Sequence, residues 1–184
     1  VEVVEDGFST YKKLVKSKFP DLYGNGEKIC LDCANGADAE YARRIFESFG
    51  FDVTAYNDVR DGKKVNVGGG ATNIDFLKSR ANGNIGFAFD GDGDRLIAVD
   101  NDEVIDGDGI IYALAKSYLA DNKLNSSTVV GTILSNGGLE NALKKDGVTL
   151  LRTDVGDKYV AEKMREVGAV IGGEQSGHII IADK

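Results

Sequence analysis

Three aspartates alternate with glycines in Asp90-Gly91-Asp92-Gly93-Asp94-Arg95. Glycine lets a backbone curl through conformations that other residues resist, so the three side chains can converge on one point. Converging carboxylates repel. At ~4 Å and an effective dielectric of ~20, each like-charge pair costs about 4 kcal/mol. One exposed arginine offsets little of that, because exposed ion pairs contribute only ~0–1 kcal/mol. A divalent cation resolves the conflict, and an all-oxygen ligand set selects a hard ion, magnesium or calcium. The loop is not an EF-hand. Counted from Asp90, the required glycine is replaced by Arg95 and the required terminal glutamate by Asn101, and an apolar strand precedes the loop where a helix is needed. Arg95 is suited to neutralise phosphate oxygens that a metal leaves free. A salt bridge to Asp100 or Asp102 is its structural alternative.

A second group of chemical residues lies in Gly172-Gly173-Glu174-Gln175-Ser176-Gly177-His178. It presents a carboxylate, an amide, a hydroxyl and the one histidine of the chain. Such groups read sugar hydroxyls well: Glu174 accepts hydrogen bonds, while Ser176 and His178 donate or accept. Cys30 and Cys33 have the spacing of a redox pair, but they sit on a strand-like run, Lys28 to Cys33. Residues three apart on a strand face opposite sides, so both read as inert buried thiols.

Both chemical loops need elements to hold them. Helical spacing of Tyr11, Leu14, Val15 and Lys18 predicts a helix over 8–19, ended by Pro20. Strands are expected at 28–33, 51–55, 85–89 and 96–99, with helices at 38–48 and at 74–81, the latter capped by Asn73. The Gly-rich stretch 66–73 must be a loop, and without Gly-Lys-Ser/Thr it is no P-loop. Asp108 is expected to cap a helix over 109–120. Strand 128–134, helix 139–145, strand 148–152, helix 157–167 and strands 169–171 and 179–181 complete the pattern. Alternating strands and helices argue an α/β fold with mixed, largely parallel sheets. Lys28–Asn57 and Thr128–Asp154 share the order strand, Asn-Gly turn, helix, Gly, strand. That repeat suggests two similar three-layer α/β domains, residues 1–104 with the metal loop and 105–184 with the Glu174 loop.

Bulk composition narrows the partners. The 184 residues are 42% hydrophobic and 28% charged, which allows a real core. A net charge of −8 argues against a nucleic-acid groove or an anionic membrane surface. No apolar run approaches the ~18 residues of a membrane span, and no apolar segment near the start suggests a signal peptide, so a cytoplasmic location is expected. Because residue 1 is valine, a fragment of a longer protein is expected.

Phe89 to Arg95 resembles the metal-binding loop of the α-D-phosphohexomutases, and Gly173 to His178 resembles their sugar-specificity loop. The order of these motifs and the gap between them match as well. Val155-Gly156-Asp157-Lys158-Tyr159-Val160 and the glutamine of the sugar loop resemble the branch that isomerises glucosamine phosphates, rather than the mannose or glucose branches. The resemblance covers essentially the whole chain. It implies a four-domain enzyme of which this chain is the second domain and most of the third. It implies Mg²⁺ held by Asp90, Asp92, Asp94 and a phosphoserine, with Arg95 facing that phosphoserine. Glu174 and Ser176 would hold sugar hydroxyls, with His178 near the reacting end of the sugar phosphate. Arg95 and His178 would then be the catalytic residues.

Some family features are missing from these residues. There is no phosphoserine loop of Ser-His-Asn-Pro type and no Arg-x-Ser-Gly-Thr phosphate clamp, and Asp154 stands where many relatives have lysine before Val-Gly-Asp. The absent first and fourth domains would be partners of this chain, which is expected to be inactive alone. Two other classes fit part of the pattern. A haloacid-dehalogenase-like phosphatase needs threonine where this chain has Asp94. A non-enzymatic calcium module would use the Asp loop alone.

Overall fold

The computed structural model describes residues 7–124 and 126–184. Two sheets organise them. In the first, β1 (Lys28–Asp32) is central, with β2 (Asp52–Tyr56) and β3 (Ile85–Phe89) parallel on either side. β4 (Leu96–Asp100) and β5 (Glu103–Ile105) extend it as antiparallel strands beyond β3. Ile29, Leu31 and Cys33 pack with Ala42 and Val53 on one face, while Cys30 joins Leu77, Ala81, Ala88 and Val99 on the other. A strand covered on both faces is apolar in continuous run rather than alternating, as β1 is from Ile29 to Leu31. The two cysteines therefore lie in different clusters, free and buried. Burial pushes the Cys33 thiol up to about 12, which removes thiolate reactivity at neutral pH.

The second sheet repeats the plan. β6 (Thr128–Thr132) is flanked in parallel by β7 (Thr149–Thr153) and β8 (Ile171–Gly173), and β9 (Ile179–Ile181) runs antiparallel beside β8. α4 (Gly107–Ala120) and α5 (Gly137–Lys145) cover one face through Ile111, Ala115, Leu139 and Leu143. α6 (Asp157–Val167) covers the other through Val160 and Met164. The mixed, largely parallel α/β architecture expected from the sequence is the one observed. Its repeat has a further consequence: both chemical loops occupy the same topological place, the hairpin between the third strand and its antiparallel neighbour. α1 (Gly7–Lys18) precedes the first sheet and buries none of its residues.

Several local expectations are corrected. The helix expected at 38–48 is split into a 3-10 turn, Ala37–Glu40, and α2 (Ala42–Ser48). The side chain of Asn73 does not cap α3 (Asp75–Ala81), whose N-terminal residue makes no side-chain capping bond. Asp106, not Asp108, caps α4 by accepting from the Gly109 N–H at 3.0 Å. Asp108 is buried instead and accepts the Asn136 N–H at 2.7 Å. The strand expected to reach 134 ends at Thr132, and Ile133 and Leu134 are exposed. The strand expected at 169–171 lies two residues later, so Gly172 and Gly173 belong to β8 rather than to the loop. β5 was not foreseen. It spans residues 103–105 and pairs with β4, so residue 104 lies inside a strand of the first sheet.

Candidate functional site

β3 delivers Asp90 to the C-terminal edge of the first sheet, where ligand sites favour such folds. Asp90 is 1% exposed, whereas Asp92 and Asp94 point outward. One carboxylate oxygen from each lies within 4.8 Å of the others. The loop closes on itself: the Gly93 N–H donates to the Asp90 carbonyl at 3.2 Å and the Arg95 N–H to Asp90 Oδ1 at 3.2 Å. Gly93 has φ +78°, and a Cβ there would run into the Asp38 carboxylate. Both facts require glycine.

The Gly-rich stretch supports this loop from the side. Asp32, fully buried at the end of β1, accepts from the Ala34 N–H, the Asn57 amide and the Gly70 N–H at 3.1, 2.9 and 2.7 Å. The next residue, Ala71, donates to the Phe89 carbonyl at 2.8 Å. The stretch is thus pinned beside the residue that precedes Asp90. The 3-10 turn contacts the loop as well, with the Ala37 N–H donating to the Gly91 carbonyl at 3.0 Å.

Arg95 turns back on its own loop. Its Nε donates to Asp90 Oδ2 at 2.7 Å and lies 3.8 Å from Asp94 Oδ1. The alternative pairing with Asp100 or Asp102 is not formed. The side chain remains 45% exposed, and its contacts with Asp90 and Asp94 run through Nε. Desolvation, and then the charges of Asp90 and Asp92, hold the Asp94 carboxyl above the ordinary carboxylate range. Asp38 is raised by its own burial and by Asp90. Clustered acids that resist ionisation are the condition a bound cation relieves.

The second loop reaches the first through His178. Its Nδ1 lies 3.6 Å from Asp94 Oδ2, and its Nε2 lies 3.9 Å from Asp157 Oδ2 at the start of α6. The backbone joins the loops too, because the Leu96 N–H, next to Arg95, donates to the Gly177 carbonyl at 3.0 Å. Gly177 has φ +97°, and a Cβ there would strike the Leu96 carbonyl. Glu174 accepts the Gly156 N–H at 2.9 Å. Glu174 and Ser176 line a cleft of about 420 Å³ together with Asp106, Thr132, Leu134, Val155 and Gln175. The Asp loop is not part of that lining. The predicted residues therefore form two adjacent places, an acidic loop and a cleft, bridged by His178.

Sequence reasoning assigned no role to Asp106, Asp157 or Gly156. Asp157 and Gly156 fall in the Val155–Val160 stretch, where a glycine-acid pair opening a helix was the available signal. Asp106 was hidden by Asp108, a second acid with equal capping propensity two residues later.

Comparison with known proteins follows the same lines. The family description "Phosphoglucomutase/phosphomannomutase, alpha/beta/alpha domain II" matches residues 9–107, and the corresponding description of domain III matches residues 106–184. A phosphoglucosamine mutase of Thermotoga maritima is 52% identical over 181 residues, covering 97% of this chain and 42% of that protein. A phosphoglucomutase/phosphomannomutase family protein of Burkholderia thailandensis superposes with a TM-score of 0.80 at 26% identity, over 96% of this chain and 39% of its own. An Aspergillus fumigatus N-acetylphosphoglucosamine mutase, solved with GlcNAc-6P and magnesium, shares the fold with a TM-score of 0.69 at 24% identity, over 97% of this chain and 38% of its own. The chain thus spans about two-fifths of the length of the relatives it matches, and it belongs to the phosphoglucomutase/phosphomannomutase family.

Proposed function

We propose that this chain is the metal- and sugar-binding part of a phosphoglucosamine mutase, which interconverts glucosamine 6-phosphate and glucosamine 1-phosphate. The observation that supports this most is the His178 bridge, which brings the Asp90–Asp94 loop and the Glu174–Ser176 cleft side by side. The name carried by the 52% identical relative favours the amino-sugar branch over the glucose and mannose branches.

In this reading Asp90, Asp92 and Asp94 hold Mg²⁺. Mg²⁺–oxygen distances of about 2.0–2.1 Å allow ligand oxygens to sit up to about 4.2 Å apart. The spread of 4.8 Å needs only a small inward closure, so the donors fit. When bound, the ion supplies positive charge against the transferring phosphoryl oxygens. Arg95, held by Asp90 at one edge, offers its free nitrogens to the phosphate of a serine supplied by the longer enzyme. Glu174 and Ser176 receive sugar hydroxyls, and His178 stands between sugar and metal loop. The two sheets correspond to the second and third of four domains, with the first and fourth as partners. Phosphoryl transfer demands mainly positioning and charge neutralisation, which these residues can supply. A cytoplasmic setting fits this chemistry, and among the described residues no helix is long and apolar enough to cross a membrane. The buried, Arg-paired Asp90 is a poor nucleophile, which counts against a dehalogenase-like phosphatase.

The test is an NMR titration of the chain with glucosamine 6-phosphate and Mg²⁺. Amide shifts at residues 90–95 and 174–178, with no 1-phosphate formed, are expected. Turnover by these residues alone, or shifts confined elsewhere, would contradict the reading.

A further inference from the structure

The Glu174 loop rests on the first turn of α4. The Gly107 N–H donates to the Gln175 carbonyl at 3.0 Å, and a Cβ on Gly107 would collide with the Glu174 carbonyl. Beside it, the Gln175 amide reaches the Asp106 carboxylate, with Nε2 3.1 Å from Oδ2. The other oxygen of Asp106 caps α4 through the Gly109 N–H at 3.0 Å. One aspartate therefore serves the helix with one oxygen and the loop with the other.

The chemistry of this pair fixes an orientation. An ionised carboxylate only accepts hydrogen bonds, so the amide must turn its NH₂ toward Asp106. The amide carbonyl then becomes the free end, and no donor among the described residues meets it. Gln175 and Asp106 both line the cleft, as does Glu174, and the lining contains no lysine, arginine or histidine. The cleft thus presents two carboxylates and an oriented carbonyl, which is an acceptor-rich, anionic wall. A hydroxyl can satisfy such a wall or a donor-rich one. An ammonium donates only and carries the complementary charge.

We infer that Asp106 is a specificity-determining residue that selects a cationic amino sugar, both by its charge and by locking Gln175 with its carbonyl outward. This inference rests on the sugar-phosphate reading and names the feature of the sugar that the cleft selects. Phosphate is left to other groups, because this wall repels it.

Asp106→Asn is the variant of choice. Asparagine caps helices about as well as aspartate, so α4 keeps its cap, while the charge and the one-way demand on Gln175 are both lost. Dissociation constants for glucosamine 6-phosphate and glucose 6-phosphate are measured by NMR titration of the chain and of the variant. The chain should prefer glucosamine 6-phosphate, and Asp106→Asn should cut that preference by about fivefold, the size of one partly exposed charge contact. Gln175→Leu, which loses the carbonyl, should cut it too, and the double variant should lose less than the two single losses combined. A preference unchanged in Asp106→Asn, or losses that simply add, would overturn the role of Asp106 and leave the sugar-phosphate reading standing. A parent chain that binds both sugars equally would overturn the amino-sugar assignment itself.

Discussion

At the scale of single residues, acids in this chain are told apart by what surrounds them. Asp106 and Asp108 sit two residues apart, yet the first is a working cap and the second is buried, its Oδ1 without a hydrogen-bond partner among the described residues. Burial raises the Asp108 carboxyl above its usual range, the Asn136 N–H opposes that, and the charge of Asp106 adds to it. The folded pKa exceeds the unfolded one, so the stabilising form is the protonated one. Its contribution is complete below the unfolded value and is lost as pH rises through the raised folded value. Asp108→Asn keeps an acceptor for Asn136 and removes the charge. Urea midpoints at about pH 4 and about pH 7 should show the variant gaining on the parent as pH rises. A gap that stays constant with pH would contradict this. The convergence of Asp90, Asp92 and Asp94 was legible from sequence because alternation with glycine is itself a geometric statement. The exchange of roles between Asp106 and Asp108 was not, because either acid satisfies the local pattern and only packing against Asn136 separates them.

At the scale of elements, two hairpins hold the candidate site residues and their neighbours set the position of each. The Glu174 loop is fixed at three points: Leu96 below, Gly107 beside, and Gly156 through the carboxylate of Glu174. Gly177 stands at the first of these, facing Leu96. Gly177→Ala forces an alanine into a positive-φ conformation and against the Leu96 carbonyl, at about 1–3 kcal/mol. Unfolding measurements should show that loss, and glucosamine 6-phosphate affinity should fall with it, because His178 is the next residue. An alanine variant with unchanged stability and affinity would mean the loop is free to move. Element types and order were readable from periodicity, as the nine strands and six helices of the described residues show. Ends were not. β8 shifted to Ile171–Gly173 because two glycines that read as loop are drawn into pairing with Ile179 and Ile180 of β9. β5 was missed because three residues carry no period of their own and take their conformation from β4.

At the scale of the whole molecule, α4 joins the two halves. Its first turn holds the Glu174 loop, and its body packs on β8 of the second sheet and on β4 of the first. The Asp loop and the cleft are thereby held together by α4, by the Leu96–Gly177 backbone bond and by His178. The net charge of −8 also finds its place at this scale. Anionic groups concentrate where a cation and an amine are expected, while Arg95 is the one cation of the Asp loop. In the proposed mutase reading, phosphate-gripping groups are assigned to the first and fourth domains. The meeting of two loops separated by some eighty residues was not readable from the sequence and needed the fold.

Asp90, Asp92 and Asp94 are proposed to form a cation site. Asp92 is exposed, and its side chain makes no hydrogen bond among the described residues, so its loss should spare the structure. Calorimetric titration of the chain with Mg²⁺ should show weak, saturable binding, because the ion ordinarily completes its shell with phosphate oxygens. Asp92→Ala should lower that affinity by about tenfold or more, equivalent to about 1.4 kcal/mol. An affinity for Mg²⁺ that is the same with and without the Asp92 carboxylate would contradict the account.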